Sequence, residues 1–422
     1  MKRILLALLM LSLVFPLIAG GEQEAASGAG SQALIYNSMH GDPKPRAADE
    51  ELVARFQAQN PDVKMVHSIV AHEDFKQAIR AYLTASQGPD VLTWFAGNRA
   101  RFFIDRGLIM DISDVWEEAG WNEKYPKGFK ALSTVDGKQY FLPNSWYWWA
   151  VYYRPSVFEK HGVEPPKTWD EFMEVCETFK AKGITPITIG TKYRWTAAAW
   201  FDYLNMRVNG PEFHVNLMLG KEKYTDPRVK RVFTDYWQPM IEKDYFIDSP
   251  ASYAWAEAIP FMANEEAAMY LMGDFIRDSM PESIMSQEDL DFFQFPIIDP
   301  SLPVGEDAPT DGYFIPSNAQ NPELAKEFIK YIGSAEWQEY TAKELNRLPT
   351  NNDVDLSIFS GSQQKGIEMI NSADYVAQFY DRDTTPEMAD VGMNGFMEFW
   401  QNPDNIDDIL KRLEAKRAEL FD

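Results

Sequence analysis

A single cysteine, Cys176, occurs in 422 residues. It leaves no partner for an intramolecular disulfide and excludes zinc or iron–sulfur sites built from clustered cysteines. Histidine is nearly as scarce, with five in all, and His67 and His72 lie five apart. That spacing fits neither an i, i+4 pair on a helix nor an HExxH motif. The chain has no GxSxG, no glycine-rich phosphate loop and no GxGxxG after a strand, so the common nucleophile and nucleotide signatures are missing. Positive charge is in deficit: 40 Lys and Arg stand against 64 Asp and Glu, a net charge of −24. Nucleic acid as the main partner needs clustered Lys and Arg and is disfavoured, as is a hold on anionic lipid. No internal repeat of solenoid period is present. Neutral ligands and cations stay open.

What is present begins with an ordinary globular balance of 45% hydrophobic and 25% charged residues, which argues against bulk disorder. Lys2 and Arg3 precede an apolar run from Ile4 to Ile18 containing Pro16. The run is short of the roughly 20 residues a membrane span needs. Ala19 and Gly21 supply small residues before Glu22. The pattern predicts a cleavable secretory signal over 1–21. No lipid-attachment cysteine follows, and 22–32 reads as a flexible leader. The expected compartment is the periplasm.

Strand and helix signals then alternate. Ala33–Tyr36, Val63–Val70 and Val91–Phe95 read as strands, and Ala47–Ala58 and His72–Ser86 as helices. This alternation predicts an α/β fold with a mainly parallel sheet. Further on, Lys138–Leu142, Trp146–Arg154, Glu266–Met272, Asp289–Phe295 and Gly312–Ile315 are strand-like. Trp169–Lys182 and Arg228–Lys243 are helical, and from Pro322 the chain reads mostly as helix. Glu306–Asp311 reads as a polar loop and a candidate crossover.

Aromatic residues are 14% of the chain, and several sit at turns or strand ends rather than on periodic apolar faces. They are Trp94-Phe95, the run Trp146-Tyr147-Trp148-Trp149, Arg194-Trp195, Trp255, and Tyr313 after Asp311-Gly312. A pyranose has an apolar C–H face and a hydroxyl rim. Rings match the face, while Asp, Asn, Arg and backbone groups match the rim. Alternation along Trp146–Trp149 means about half of that run points away from any one face. Asp274, Asp311, Asp381 and Asp383 could also furnish a glycosidase pair, whose separation sequence does not reveal.

Several stretches resemble the extracellular solute-binding proteins of carbohydrate ABC transporters, the maltose-binding-protein-like class. They are GPDVLTWFAGN (Gly88–Asn98), GLIMDISD (Gly107–Asp114) and, most specific, the run from Gly137 to Phe172 ending in PKTWDEF. AKGITPITIG (Ala181–Gly190), AAMYLMGDF (Ala267–Phe275), the run from Gly312 to Gln338, LNRLPTN (Leu345–Asn351) and DRDTTPEMAD (Asp381–Asp390) extend the likeness over nearly the whole chain. The resemblance implies two α/β lobes joined by hinge strands, with the ligand in the cleft between them. It implies an N-terminal lobe of 33–145 and 312–352, and a C-terminal lobe of 146–311 and 353–422.

Carried over residue by residue, the resemblance puts Trp94, Trp146, Trp148, Arg194 and Trp195 on the ligand side. It adds Gly273 and Asp274 at a glycine turn, Gly312 and Tyr313 on a return strand, and Arg347 and Asp381 in late loops. An early loop around His40–Asp42 often supplies a polar contact, which adds Asp42. Trp255 and Asp311 join from the aromatic pattern. The implied function is capture of a mono- or oligosaccharide and delivery to a membrane permease by hinge closure. A monomer needing no cofactor or metal is expected, and not an enzyme. The competing readings are a secreted glycoside-cleaving enzyme, a receptor for a non-sugar solute, and a sensor subunit sharing the same cleft.

Overall fold

The computed structural model describes residues 32–345, 347–359 and 361–422; the expected signal segment lies outside them, as does the leader apart from Gln32. Two sheets organise the chain. The first has six strands in the order Leu348–Pro349, Leu142–Trp146, Thr310–Phe314, Val91–Phe95, Gln32–Ser38, Val63–Ile69. The three early strands run parallel, and Thr310–Phe314 pairs antiparallel with both Val91–Phe95 and Leu142–Trp146. Val91–Phe95 is buried along its whole length, as a strand covered on both faces must be. Val63–Ile69 alternates between exposed and half-buried residues, as suits the edge.

Helices cover both faces of this sheet. His72–Thr84 buries Phe75, Ile79 and Leu83 at one-turn spacing. On the other face Pro322–Ile332 sets Phe328 edge-on against Tyr36 at 5.4 Å.

The second sheet has the order Asp291–Phe293, Trp149–Tyr153, Ala267–Gly273, Thr185–Ile187. Trp149–Tyr153 and Ala267–Gly273 are buried throughout. The PKTWDEF stretch opens the helix Trp169–Ala181 with a capping box: Thr168 Oγ1 accepts from the Glu171 N–H, and the Glu171 carboxylate accepts from the Thr168 N–H. The helix Trp195–Asn209 is buried from Thr196 to Val208, the mark of a helix enclosed on all sides. It is enclosed partly by Pro386–Gln401, whose Phe396 stacks on Phe201 at 4.7 Å. The expected helix Arg228–Lys243 is present, with a π-helical turn at Val232–Trp237.

Three expectations change. Lys138–Leu142 is not one strand: Lys138–Gln139 pairs with Thr134–Val135, and Leu142 opens a separate strand of the first sheet. Trp146–Arg154 is not one strand. Trp146 ends a strand of the first sheet, paired with Thr310 and Leu348. Trp149 begins a strand of the second, paired with Gly273. Tyr147 and Trp148 carry the chain across. Glu306–Asp311 is not a polar loop: Glu306, Asp307 and Thr310 are buried, because Gly305–Asp307 pairs with Tyr375–Ala377 before the chain enters the first sheet at Thr310. It remains a crossover, lying beside the other: the Tyr147 N–H reaches the Pro309 carbonyl at 3.4 Å. Two side-by-side crossings of this kind make a hinge. Among the described residues no helix is long and apolar enough to cross a membrane.

Candidate functional site

A cavity of about 350 Å³ lies between the two sheets, lined from both. Its second-sheet wall is aromatic. Trp149 stacks on Phe379 at 4.7 Å and meets Trp195 and Phe275 edge-on at 5.9 and 6.0 Å. Phe275 in turn receives Tyr147 at 5.3 Å and Trp255 at 5.0 Å, both edge-on. Six rings thus hold one another at fixed angles, each oriented by its neighbours. The opposite wall, from the first sheet and its loops, is polar: His40, Asp42, Asp49, Glu73, Lys76 and Asp311 line it.

Polar ties bridge the two sides. Trp195 Nε1 donates to Glu73 at 3.1 Å. Arg347 binds Asp278 at 2.9 Å, and Arg382 binds Asp311 at 2.7 Å. Arg382 also donates to the Tyr147 hydroxyl at 2.7 Å and lies over the Phe95 ring. Deeper in, Asp49 accepts from the Tyr36 hydroxyl and pairs with His40, both at 3.0 Å.

The electrostatics follow from these neighbours. Burial opposes ionisation of Asp49, but His40 beside it prevails and holds its carboxyl well below the ordinary range. Burial likewise opposes charge on His40, and Asp49 raises its pKa overall. His72 is pushed well down by burial and then by Lys76, so it stays neutral. Burial opposes ionisation of Asp381, but Lys76, Arg99 and Arg382 lower its pKa. Among the described residues no group of three or more His, Cys, Asp or Glu is arranged to hold a metal ion.

Eight of the predicted site residues meet at this cavity: Asp42, Trp195, Trp255, Asp311, Gly312, Tyr313, Arg347 and Asp381. A Cβ at Gly312 would overlap the Leu142 carbonyl oxygen, so the return strand requires glycine there.

The other six do not line it. Trp94 is buried against Phe75, Phe95 and Phe103, its indole N–H donating to the Arg99 carbonyl. Trp146 points to the edge of the first sheet and donates to the Pro349 carbonyl at 3.2 Å. Trp148 is sealed between Phe292 and Gly366, where any Cβ on residue 366 would strike its ring. Gly273 and Asp274 lie beneath the aromatic floor. Asp274 accepts from the Tyr152 hydroxyl at 3.2 Å, and burial raises its pKa to about 6. Arg194 turns outward to Asp390 and Asn394.

Sequence reasoning missed Tyr147, Trp149, Phe275, Asp278, Phe379 and Arg382. For the hinge run the signal was present but the parity was inverted: the odd members face the cavity and the even ones the core. Phe275 and Asp278 line the cavity just after Asp274, which does not, and Arg382 lines it beside Asp381, which does.

Comparison with known proteins gives the family and the fold. Residues 41–339 match the family model described as bacterial extracellular solute-binding protein. The chain belongs to that family. The solved structure of the bacterial solute receptor AcbH, described as having an exclusive preference for β-D-galactopyranose, is 30% identical. It superposes with a TM-score of 0.87, covering 93% of this chain and 100% of that one. A chitin oligosaccharide binding protein shares the fold at a TM-score of 0.83 and 23% identity, covering 92% of this chain and 98% of its own. An uncharacterized ABC transporter extracellular-binding protein of Pyrococcus horikoshii is 25% identical over 336 residues, 78% of this chain and 74% of that protein. A probable sugar-binding periplasmic protein of Mesorhizobium japonicum is 24% identical over 306 residues, 70% of each chain. This solute-binding protein is therefore an extracellular receptor of the two-lobe class.

Proposed function

We propose that this protein captures a sugar of one or two rings between its lobes and presents it to the permease of an ABC importer. The single observation that carries this reading is the pairing of six mutually packed rings on one wall with a charged, hydrogen-bonding wall opposite. A pyranose laid on the rings buries its C–H face and turns its hydroxyls to Asp, Arg and His groups. At about 350 Å³ the cavity is near the small end of the usual range for small-molecule sites, which favours a short sugar over a long chain.

Residues 33–145 with 312–352 move as one lobe, and 146–311 with 353–422 as the other, about the three places where the chain passes between them. A ligand touching both walls has its full set of contacts only when the lobes are together, so it shifts the equilibrium toward closure. Closure removes water and strengthens the charge-assisted bonds to the hydroxyls. A micromolar dissociation constant corresponds to about −8 kcal/mol, within reach of this combination. The sugar leaves intact. Residues 1–21 direct secretion to the periplasm and are cleaved, and the mature protein works as a freely diffusing monomer.

The test is a thermal-shift screen of the mature protein against mono-, di- and oligosaccharides, with chromatography of the sugar recovered from any hit. Ligand at a hundredfold its dissociation constant adds about 2.7 kcal/mol of stability. A shift with intact sugar supports the reading. Cleaved sugar or no shift with any sugar overturns it.

A further inference from the structure

We infer that the cavity selects its sugar by charge, admitting neutral and amino sugars and rejecting those that carry a carboxylate or phosphate. This rests on the sugar reading above and sharpens it.

The lining holds seven carboxylates against three cations, Lys76, Arg347 and Arg382. Every one of those cations is already engaged. Arg347 is held by Asp278 at 2.9 Å, and Arg382 by Asp311 at 2.7 Å. Lys76 lies 3.4 Å from Glu73 and 3.6 Å from Asp381. His40, the one histidine here whose pKa is raised, is engaged by Asp49 at 3.0 Å. An anionic substituent entering this space must therefore displace a carboxylate from its partner. Otherwise it sits unpaired amid surplus negative charge, with walls that screen it less than bulk solvent does.

Acceptors, by contrast, are left over. The Asp278 side chain is 7% exposed; its Oδ1 is buried and accepts no hydrogen bond. Lys44 lies 3.9 Å from that oxygen. Asp49 Oδ2 and Asn144 Oδ1 are also buried without a hydrogen bond. Asp42, exposed at the mouth of the cavity, does not cap the helix that follows it. Carboxylate oxygens only accept. Hydroxyl or ammonium hydrogens satisfy them, and another anion cannot.

The experiment is isothermal titration of the mature protein at pH 7 with three forms each of glucose, galactose and mannose. The forms are the parent hexose, the 2-amino-2-deoxy sugar and the uronic acid. In any series whose parent binds, the uronate is expected to bind at least about thirtyfold more weakly than the parent. The amino sugar is expected to bind as tightly as the parent or more tightly. A uronate within thirtyfold of its parent overturns the inference, as does an amino sugar more than about tenfold weaker than its parent. Asp278→Asn, checked for folding by its melting curve, is expected to narrow the parent-to-uronate ratio by at least about threefold. An unchanged ratio removes Asp278 from the account. Absence of binding by every form, together with no shift in the wider screen, fails the sugar reading itself. A uronate bound as well as its parent fails the charge rule alone.

Discussion

The second-lobe wall of the cavity is mostly rings, while the first-lobe wall is mostly charge. Trp149, Trp195, Trp255 and Phe275 fix one another through ring contacts of 5.0 to 6.2 Å. Their attraction for a sugar scales with the area covered and varies little with which hydroxyl points where. Asp42, Asp49, Asp311 and their partners contribute little area, but each accepts a hydrogen only along certain directions. The ring wall should therefore supply most of the affinity, and the charged wall most of the discrimination among epimers and charge states. A second contrast runs along the crossing: Tyr147 and Trp149 line the cavity, whereas Trp146 and Trp148 pack away from it.

Removing a scaffold ring should have the largest effect. Trp148→Ala is expected to lower stability by about 3–5 kcal/mol, because its pocket between Phe292 and Gly366 cannot refill. Chemical denaturation measures this, and a loss below about 1 kcal/mol would dissolve the distinction between odd and even members of the run. Trp195→Ala removes a half-exposed wall ring and its bond to Glu73 across the cleft. Affinity is expected to fall by about 2–3 kcal/mol, roughly 30- to 150-fold, with a near-native melting temperature. Calorimetry against the sugar found in the screen tests it, and Trp195→Phe should recover much of the loss.

Asp274 sharpens the same boundary through pH. Burial raises its pKa from 3.8 to about 6. A carboxyl raised on folding binds its proton more tightly in the folded state, so it lowers stability as pH rises from about 4 to about 6. Below that window both states are protonated and the cost is gone. Above it the cost is complete. Asp274→Asn should stabilise the protein at pH 7 by about 1–2 kcal/mol and flatten the stability profile between pH 4 and 6. It should leave sugar affinity within about threefold. A larger loss of affinity would return Asp274 to the site. The smallest effect is expected at Arg194, whose pair with Asp390 lies on the surface. Arg194→Ala should change stability by less than about 1 kcal/mol and leave binding unchanged by calorimetry.

Much of the fold was legible because its signals are local. Val91–Phe95 is a strand over the predicted residues, and the Thr168–Glu171 box starts its helix where PKTWDEF suggests. Of the eight predicted residues that meet at one cavity, Trp195, Trp255, Asp311, Gly312 and Tyr313 lie in aromatic and Asp-Gly clusters at turns, where the chain presents side chains outside a periodic face, while Asp42, Arg347 and Asp381 came from the family resemblance. Misplaced residues share one cause. Trp94 looks like a cleft aromatic, but the helix His72–Thr84 lays Phe75 against it and closes it off. At the glycine turn, Asp274 folds under Tyr152 while Phe275 and Asp278 face upward.

The amino-acid sequence by itself determined the alternating α/β order and the aromatic and acidic character of the binding region. Composition, periodicity and capping act within a few residues, so they can be read along the chain. Only the tertiary structure decided which side of each element faces the cavity. Facing depends on which sheet a strand joins and on what packs behind it. The chain leaves one sheet after Trp146 and enters the other at Trp149. That change of sheet, set by contacts with Thr310, Leu348 and Gly273 far along the chain, sends Tyr147 and Trp149 to the cavity and Trp146 and Trp148 away from it.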